Sequence, residues 1–148
     1  VLHATTLVGN ELIERRGAAP ALITTEGFTD LLNIAREKKF DIYDIFLEKP
    51  PPLVPRYLRR PAVGRLDRRG RELTPLSLDD VRDAIELFKK ESVEAVAICF
   101  MNAFANSEHE VRAAELVAAE LPGAYLTASS DLRPGFSGKG ILCFEIRS

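Results

Sequence analysis

Two kinds of apolar pattern alternate along this chain, one at helical spacing and one in short uninterrupted runs. Leu7, Val8, Leu12 and Ile13 recur at helical spacing, with Thr5 or Thr6 placed to cap the first turn. Arg15 and Arg16 suit the negative end of that helix, and Gly17 supplies its stop. Ala19 to Thr24 is short, apolar and ends in β-branched residues, so it reads as a buried strand. Thr25 or Thr29 then caps a second helix with Phe28, Leu31, Leu32 and Ala35 on one side, a face that fades into Arg36-Glu37-Lys38-Lys39.

Between about Asp41 and Pro75 the pattern changes. Tyr43, Ile45 and Phe46 form a short apolar cluster, and Pro50-Pro51-Pro52 with Pro55 hold the chain extended. Ala62 to Leu73 reads as a hairpin with Asp67 to Gly70 as its turn. After Pro75 the periodicity returns. Ser77 caps a helix that carries Leu78, Val81, Ala84, Ile85 and Phe88, and Asp80 at the third helical position makes an acidic variant of the capping box. Val93 to Phe100 is apolar apart from Glu94 and predicts a strand covered on both faces. Asn106 or Ser107 caps a helix with Val111, Ala114, Val117, Ala118 and Leu121 inward, ended by Pro122-Gly123. Ala124 to Ser129 is one more strand. Strands alternating with helices predict an α/β layered domain with a largely parallel sheet and an inserted β-hairpin.

Composition narrows the function. A length of 148 residues implies one domain with a real core, and 46% hydrophobic with 28% charged residues is ordinary for a globular protein. The net charge of -2 argues against general nucleic-acid binding, which needs a basic surplus. No apolar run approaches the roughly 18 to 20 residues that span a bilayer, and no leader pattern opens the chain, so a cytoplasmic location without membrane contact is expected. Cys99 and Cys143 lie far apart and form no ligand pattern, with Cys99 read as a buried strand residue. Seven arginines fall between Arg56 and Arg71, diluted by Asp67 and Glu72, and read as a solvated hairpin or a subunit contact. Asp79 and Asp80 suit a helix start. His109 and Glu110 lack a second histidine at helical spacing, so no zinc site is expected and His109 reads as packed near its helix start. Gly138-Lys139-Gly140 lacks the full spacing of a phosphate loop.

Candidate chemistry sits at His3-Ala4-Thr5-Thr6. Hydroxyl residues at a helix N-terminus stand beside free backbone N–H groups, and anions bind there. Thr5 and Thr6 are therefore candidates for contact with a phosphate or a substrate oxyanion as well as for capping, with His3 and Asn10 beside them.

These residues also carry a resemblance. His3, Thr5, Thr6, Asn10, Glu14, Arg15, Arg16 and Gly17 are followed in order by Thr24, Thr25, Gly27, Phe28 and Asp30. Tyr43-Asp44, Lys49-Pro50 and Leu53-Val54-Pro55-Arg56 come next, then Val93 to Ala97, Ala105-Asn106, His109-Glu110 and Ser129-Ser130. In order and spacing this resembles the N-terminal region of the hydantoinase A / 5-oxoprolinase family. The resemblance implies an actin-like ATPase fold, with ATP and Mg²⁺ in the parent protein. It implies opening of a cyclic amide such as hydantoin, N-methylhydantoin or 5-oxoproline, and a possible second subunit. Some relatives instead use ATP to carboxylate ketones, and a non-catalytic α/β assembly module working through the arginine hairpin is a further alternative. Residues 1–136 would form a partial N-terminal domain, with the family's first strand and phosphate loop upstream of Val1. Residues 137–148 would be a divergent or flexible tail. The catalytic residues are expected outside this segment, which alone should be inactive. Ala4 departs from the family's usual glycine, and its Cβ would hold a ligand off the backbone.

Overall fold

The computed structural model describes Glu14, residues 17–34 and residues 51–132. The helix expected over residues 7–13, the Tyr43 cluster and the boundary at residues 136 and 137 lie outside the described residues.

Four parallel strands form the central sheet: β1 (Pro20–Thr25), β2 (Arg59–Ala62), β5 (Ala95–Cys99) and β6 (Tyr125–Ala128), in the order β2-β1-β5-β6. Strands β3 (Arg65–Leu66) and β4 (Glu72–Thr74) pair antiparallel in a separate hairpin. The helices are α1 (Leu31–Ile34), α2 (Leu78–Lys90), α3 (Glu108–Glu120) and α4 (Ser129–Leu132). The α/β architecture with a parallel sheet and a hairpin insert is the one the alternating pattern predicts.

Register decides which side chains share a face. Ala21 is level with Val96, which is level with Leu126; Ile23 is level with Ile98, which is level with Ala128. Helices α2 and α3 close that face with Val81, Ala84, Ile85 and Phe88 from one and Ala113 and Val117 from the other. Phe88 is the largest fully buried side chain among the described residues and sits at the centre of this layer. Burying each such side chain contributes roughly 1.5–3 kcal/mol, which holds the two helices on the sheet. Lys89 Nζ bonds Glu120 Oε2 at 3.0 Å and joins the far ends of the helices.

Four local expectations change in the folded chain. Ala62 does not open the hairpin; it closes β2, an edge strand of the sheet among the described residues, built from Arg59-Arg60-Pro61-Ala62. A proline is tolerated there because one side of an edge strand needs no donor. Thr25 does not cap a helix: its Oγ1 accepts the N–H of Met101 at 3.0 Å across the sheet. The Ser77 cap forms, with its Oγ accepting from Asp80 N at 3.3 Å, but Asp80 does not reach back to Ser77. Asp80 Oδ2 accepts from Val63 N at 2.8 Å while Val63 O accepts from Ser77 N at 2.7 Å, so the box closes through a third residue. Helix α3 keeps Ala114, Val117 and Leu121 of the predicted face against the core but not Val111 and Ala118. His109, Glu110, Ala113 and Val117 are buried, Val111 is 47% exposed and Ala118 is exposed. Two polar residues occupy the inward stripe, and counting apolar positions alone rotates the helix away from them.

Candidate functional site

Open parallel sheets bind ligands outside the carboxyl ends of their strands, where the connections diverge. At that edge the turn after β1 comes first. Glu26 N bonds Ala62 O and Phe28 N bonds Thr25 O, while Gly27 adopts a positive φ of 85°. Three arginines then fix the turn. The Arg65 guanidinium lies 5.3 Å from the Phe28 ring centroid. Arg59 donates to Thr29 O at 3.3 Å and to Asn33 Oδ1 at 3.1 Å, and twice to Val54 O at 2.9 and 2.8 Å. Arg56 grips Asp30 with two bonds of 2.8 and 3.0 Å, which hold the Asp30 carboxyl below its ordinary pKa. Arg59 is 3% exposed, and its several carbonyl and amide acceptors are what make burial of a guanidinium tolerable.

The loop from β5 to α3 forms the other half of the edge. Glu110 is fully buried and accepts three hydrogen bonds: Phe100 N at 2.9 Å, Ser129 Oγ at 2.6 Å and Ser130 N at 2.8 Å. One carboxylate thereby pins the end of β5 to the start of α4. Asn102, with a φ of 64°, donates to Leu66 O at 2.8 Å. Asn106 donates to Gly70 O at 3.0 Å and accepts from Glu108 N at 2.9 Å, so Asn106 rather than Ser107 supplies the side-chain cap. His109, 2% exposed, meets Glu72 Oε2 at 2.8 Å. It packs against the hairpin as a scaffold residue.

A small cleft of about 160 Å³ opens between the ends of β1 and β2 and the start of α2, lined by Glu26, Arg60, Pro61, Val63, Asp80 and Asp83. Ligand pockets run to roughly 300–1,000 Å³. Three carboxylates against one guanidinium also repel a phosphate, so this cleft does not suit a nucleotide.

Thr5, Thr6, His3 and Asn10 lie outside the described residues. Several of the other residues that carry the resemblance converge in space. Thr24, Thr25, Gly27, Phe28, Asp30, Asn106, His109, Glu110, Ser129 and Ser130 stand at or just beyond the carboxyl edge of the sheet or on the loops and helix start that brace it. Sequence reasoning missed Arg59 and the role of Glu110. Arg59 looks like its six neighbours in the cluster, and only its burial on Val54, Thr29 and Asn33 distinguishes it. Glu110 did carry a signal, an acid following a histidine in the first turn of a helix after an apolar strand. Among the described residues no group of histidine, cysteine and acidic side chains is arranged to hold a metal ion. No helix among them is long and apolar enough to cross a membrane.

A family model described as the hydantoinase/oxoprolinase N-terminal region matches residues 1–121. The chain is 37% identical over 135 residues to caprolactamase subunit alpha of Pseudomonas jessenii, covering 90% of this chain and 19% of that protein. The crystal structure of the ATP-dependent caprolactamase from Pseudomonas jessenii superposes with a TM-score of 0.82 at 38% identity, covering 88% of this chain and 19% of that one. A nucleotide-free structure of acetone carboxylase superposes with a TM-score of 0.76 at 28% identity, covering 84% and 19%. The chain thus spans about a fifth of the length of these proteins.

Proposed function

The chain belongs to the hydantoinase/oxoprolinase family, whose N-terminal region it carries, and on that premise we propose that the whole protein couples ATP hydrolysis to opening of a cyclic amide ring. The observation that carries this reading is the likeness to a caprolactamase subunit, 37% identical in sequence with a TM-score of 0.82 for the solved enzyme. A lactam, a hydantoin and 5-oxoproline share a ring amide whose oxygen ATP can activate for attack by water. In this reading the protein acts in the cytoplasm on a small molecule, with Mg²⁺ accompanying the nucleotide.

The described residues have a positioning role in this scheme. They brace the carboxyl edge of the sheet through Glu110 and the three arginines, and the acidic cleft at the start of α2 does not suit a phosphate. Contact with a phosphate or substrate oxyanion is assigned to Thr5 and Thr6, with His3 and Asn10 beside them, on the actin-like ATPase fold of the family.

A second reading, ketone carboxylation, is favoured by the likeness to acetone carboxylase. ATP turnover by the whole protein separates the two. Lactams, hydantoins and 5-oxoproline would be offered alone, and ketones with bicarbonate. Release of ADP stimulated by a cyclic amide, and falling at least tenfold in Thr5→Ala and Thr6→Ala, is the expected result. Stimulation only by a ketone with bicarbonate would replace hydrolysis by carboxylation. No stimulation by any compound in a protein that binds ATP would leave the assembly-module reading.

A further inference from the structure

We propose that Glu110 is a positioning residue for a ligand site at the carboxyl edge of the sheet, an inference that rests on the reading that the whole protein turns over ATP. The residue is fully buried, and the buried positions that follow it on α3 are Ala113 and Val117. An apolar side chain in its place would close the core without taking a carboxylate out of water. Packing therefore does not account for Glu110, and its hydrogen-bond partners do.

Both carboxylate oxygens are used, and every partner lies just beyond the end of a strand. Oε1 accepts from the N–H of Phe100, the residue after β5, at 2.9 Å. It also accepts from the hydroxyl of Ser129, the residue after β6, at 2.6 Å. Oε2 accepts from Ser130 N at 2.8 Å. The β5–β6 register ends at Ile98 and Ala128, so the carboxylate ties the two strands together where their pairing stops.

The end of β1 joins the same arrangement. Thr25 Oγ1 accepts the N–H of Met101 at 3.0 Å, so the consecutive N–H groups of Phe100 and Met101 are held by side chains from α3 and β1. The next residue, Asn102, takes a φ of 64°, a left-handed conformation that few residues other than glycine adopt readily. The path out of β5 is thus fixed at three consecutive residues. It lies at the edge where open parallel sheets take their ligands. A misplacement of about 1 Å, even far from the reacting atoms, can lower turnover about 100-fold. Glu110 touches no reacting group in this proposal; it acts through the ends of β5 and β6.

The test measures ADP release by the whole protein with the same cyclic amides and ketones, in Glu110→Gln, Ser129→Ala and Ser129→Thr. The glutamine keeps the shape but puts an amide donor where one acceptor was. Ser129→Ala removes one bond and leaves both backbone donors on the carboxylate, so it decides the matter where the glutamine variant does not fold. The expected results are a ~10-fold or greater fall in kcat in Glu110→Gln and about a threefold fall in Ser129→Ala, each with an unchanged KM for ATP. Ser129→Thr restores the hydroxyl and should restore kcat. A residue that only stabilised the fold would leave kcat per folded molecule unchanged. Unchanged kcat in every variant that folds, or a fall that Ser129→Thr does not reverse, would overturn the inference. Hydrogen exchange supplies a second readout that needs no turnover. ATP with a cyclic amide or a ketone should protect residues 99–102 and 128–131 in the wild type, and less so in Ser129→Ala; no protection there would also overturn the inference. Should no compound stimulate ADP release, the proposed function fails, and this protection decides the inference by itself.

Discussion

At the scale of single residues, the buried carboxylate of Glu110 matters most. In Glu110→Ala the N–H groups of Phe100 and Ser130 and the hydroxyl of Ser129 lose their acceptor. Leaving a buried donor without its acceptor costs about 1–3 kcal/mol, so with three donors a loss of about 3 kcal/mol or more is expected in denaturant unfolding. Glu110→Gln should recover less than half, because its amide nitrogen would face a backbone donor; full recovery would mean that shape alone holds the site. Two aspartates contribute to the acid sensitivity of the fold. N–H groups of Arg71, first from its backbone and then from its side chain, lower the carboxyl of Asp67 from its ordinary 3.8, and Arg56 lowers Asp30 in the same direction. A carboxyl whose pKa is lower in the folded state stabilises above its unfolded value and loses that contribution as pH falls through the folded one. Stability should therefore decline below about pH 4, and Asp67→Asn should decline less steeply there. A parallel decline in both proteins, measured by urea midpoints, would assign the acid sensitivity elsewhere.

At the scale of elements, the hairpin depends on a close approach that its strand pairing does not reveal. Gly70 has a φ of 78°, and a Cβ built there would stand 2.8 Å from the carbonyl oxygen of Ala105. Gly27 has a φ of 85° with nothing within 4 Å of the same position. Gly70→Ala should thus cost about 2 kcal/mol or more, from backbone conformation plus collision, and Gly27→Ala about 1 kcal/mol from conformation alone. Thermal unfolding of the pair checks the ordering, and equal losses would show that the hairpin sits loosely on its loop. Much of this level was legible beforehand. Helix α2 is legible from Ser77 through its apolar stripe because its buried residues repeat at the helical period. Helix α3 departs from the apolar count at Val111 and Ala118, because His109 and Glu110 take inward positions that the count does not assign to them. The Asp67–Gly70 turn forms where its residues predict it, whereas β2 carries no strand signal because Arg59-Arg60-Pro61-Ala62 has neither β-branched residues nor alternation.

At the scale of the whole molecule, stability should be graded across the sheet. Strand β1 pairs with β2 and β5, and β5 pairs with β1 and β6, while β2 and β6 each pair on one side within the described sheet. The amides of Ile23 and Ile98 should exchange with solvent only on global unfolding, and those of β4 by local opening, in native-state hydrogen exchange. Slow exchange throughout the hairpin would mean that it unfolds only with the core. The sequence by itself determined the alternation of strands and helices, the parallel central sheet and the family, because each rests on local period or on residues in fixed order along the chain. The tertiary structure decided which arginines are neutralised, why Glu110 points inward and how Arg-Arg-Pro-Ala becomes a strand. Those outcomes depend on the carbonyl of Val54, the amide of Phe100, the hydroxyl of Ser129 and the edge of β1 on which β2 pairs. A polar or charged group is held by whichever partners the fold brings within hydrogen-bond reach, and local pattern carries no information about which distant residues those will be.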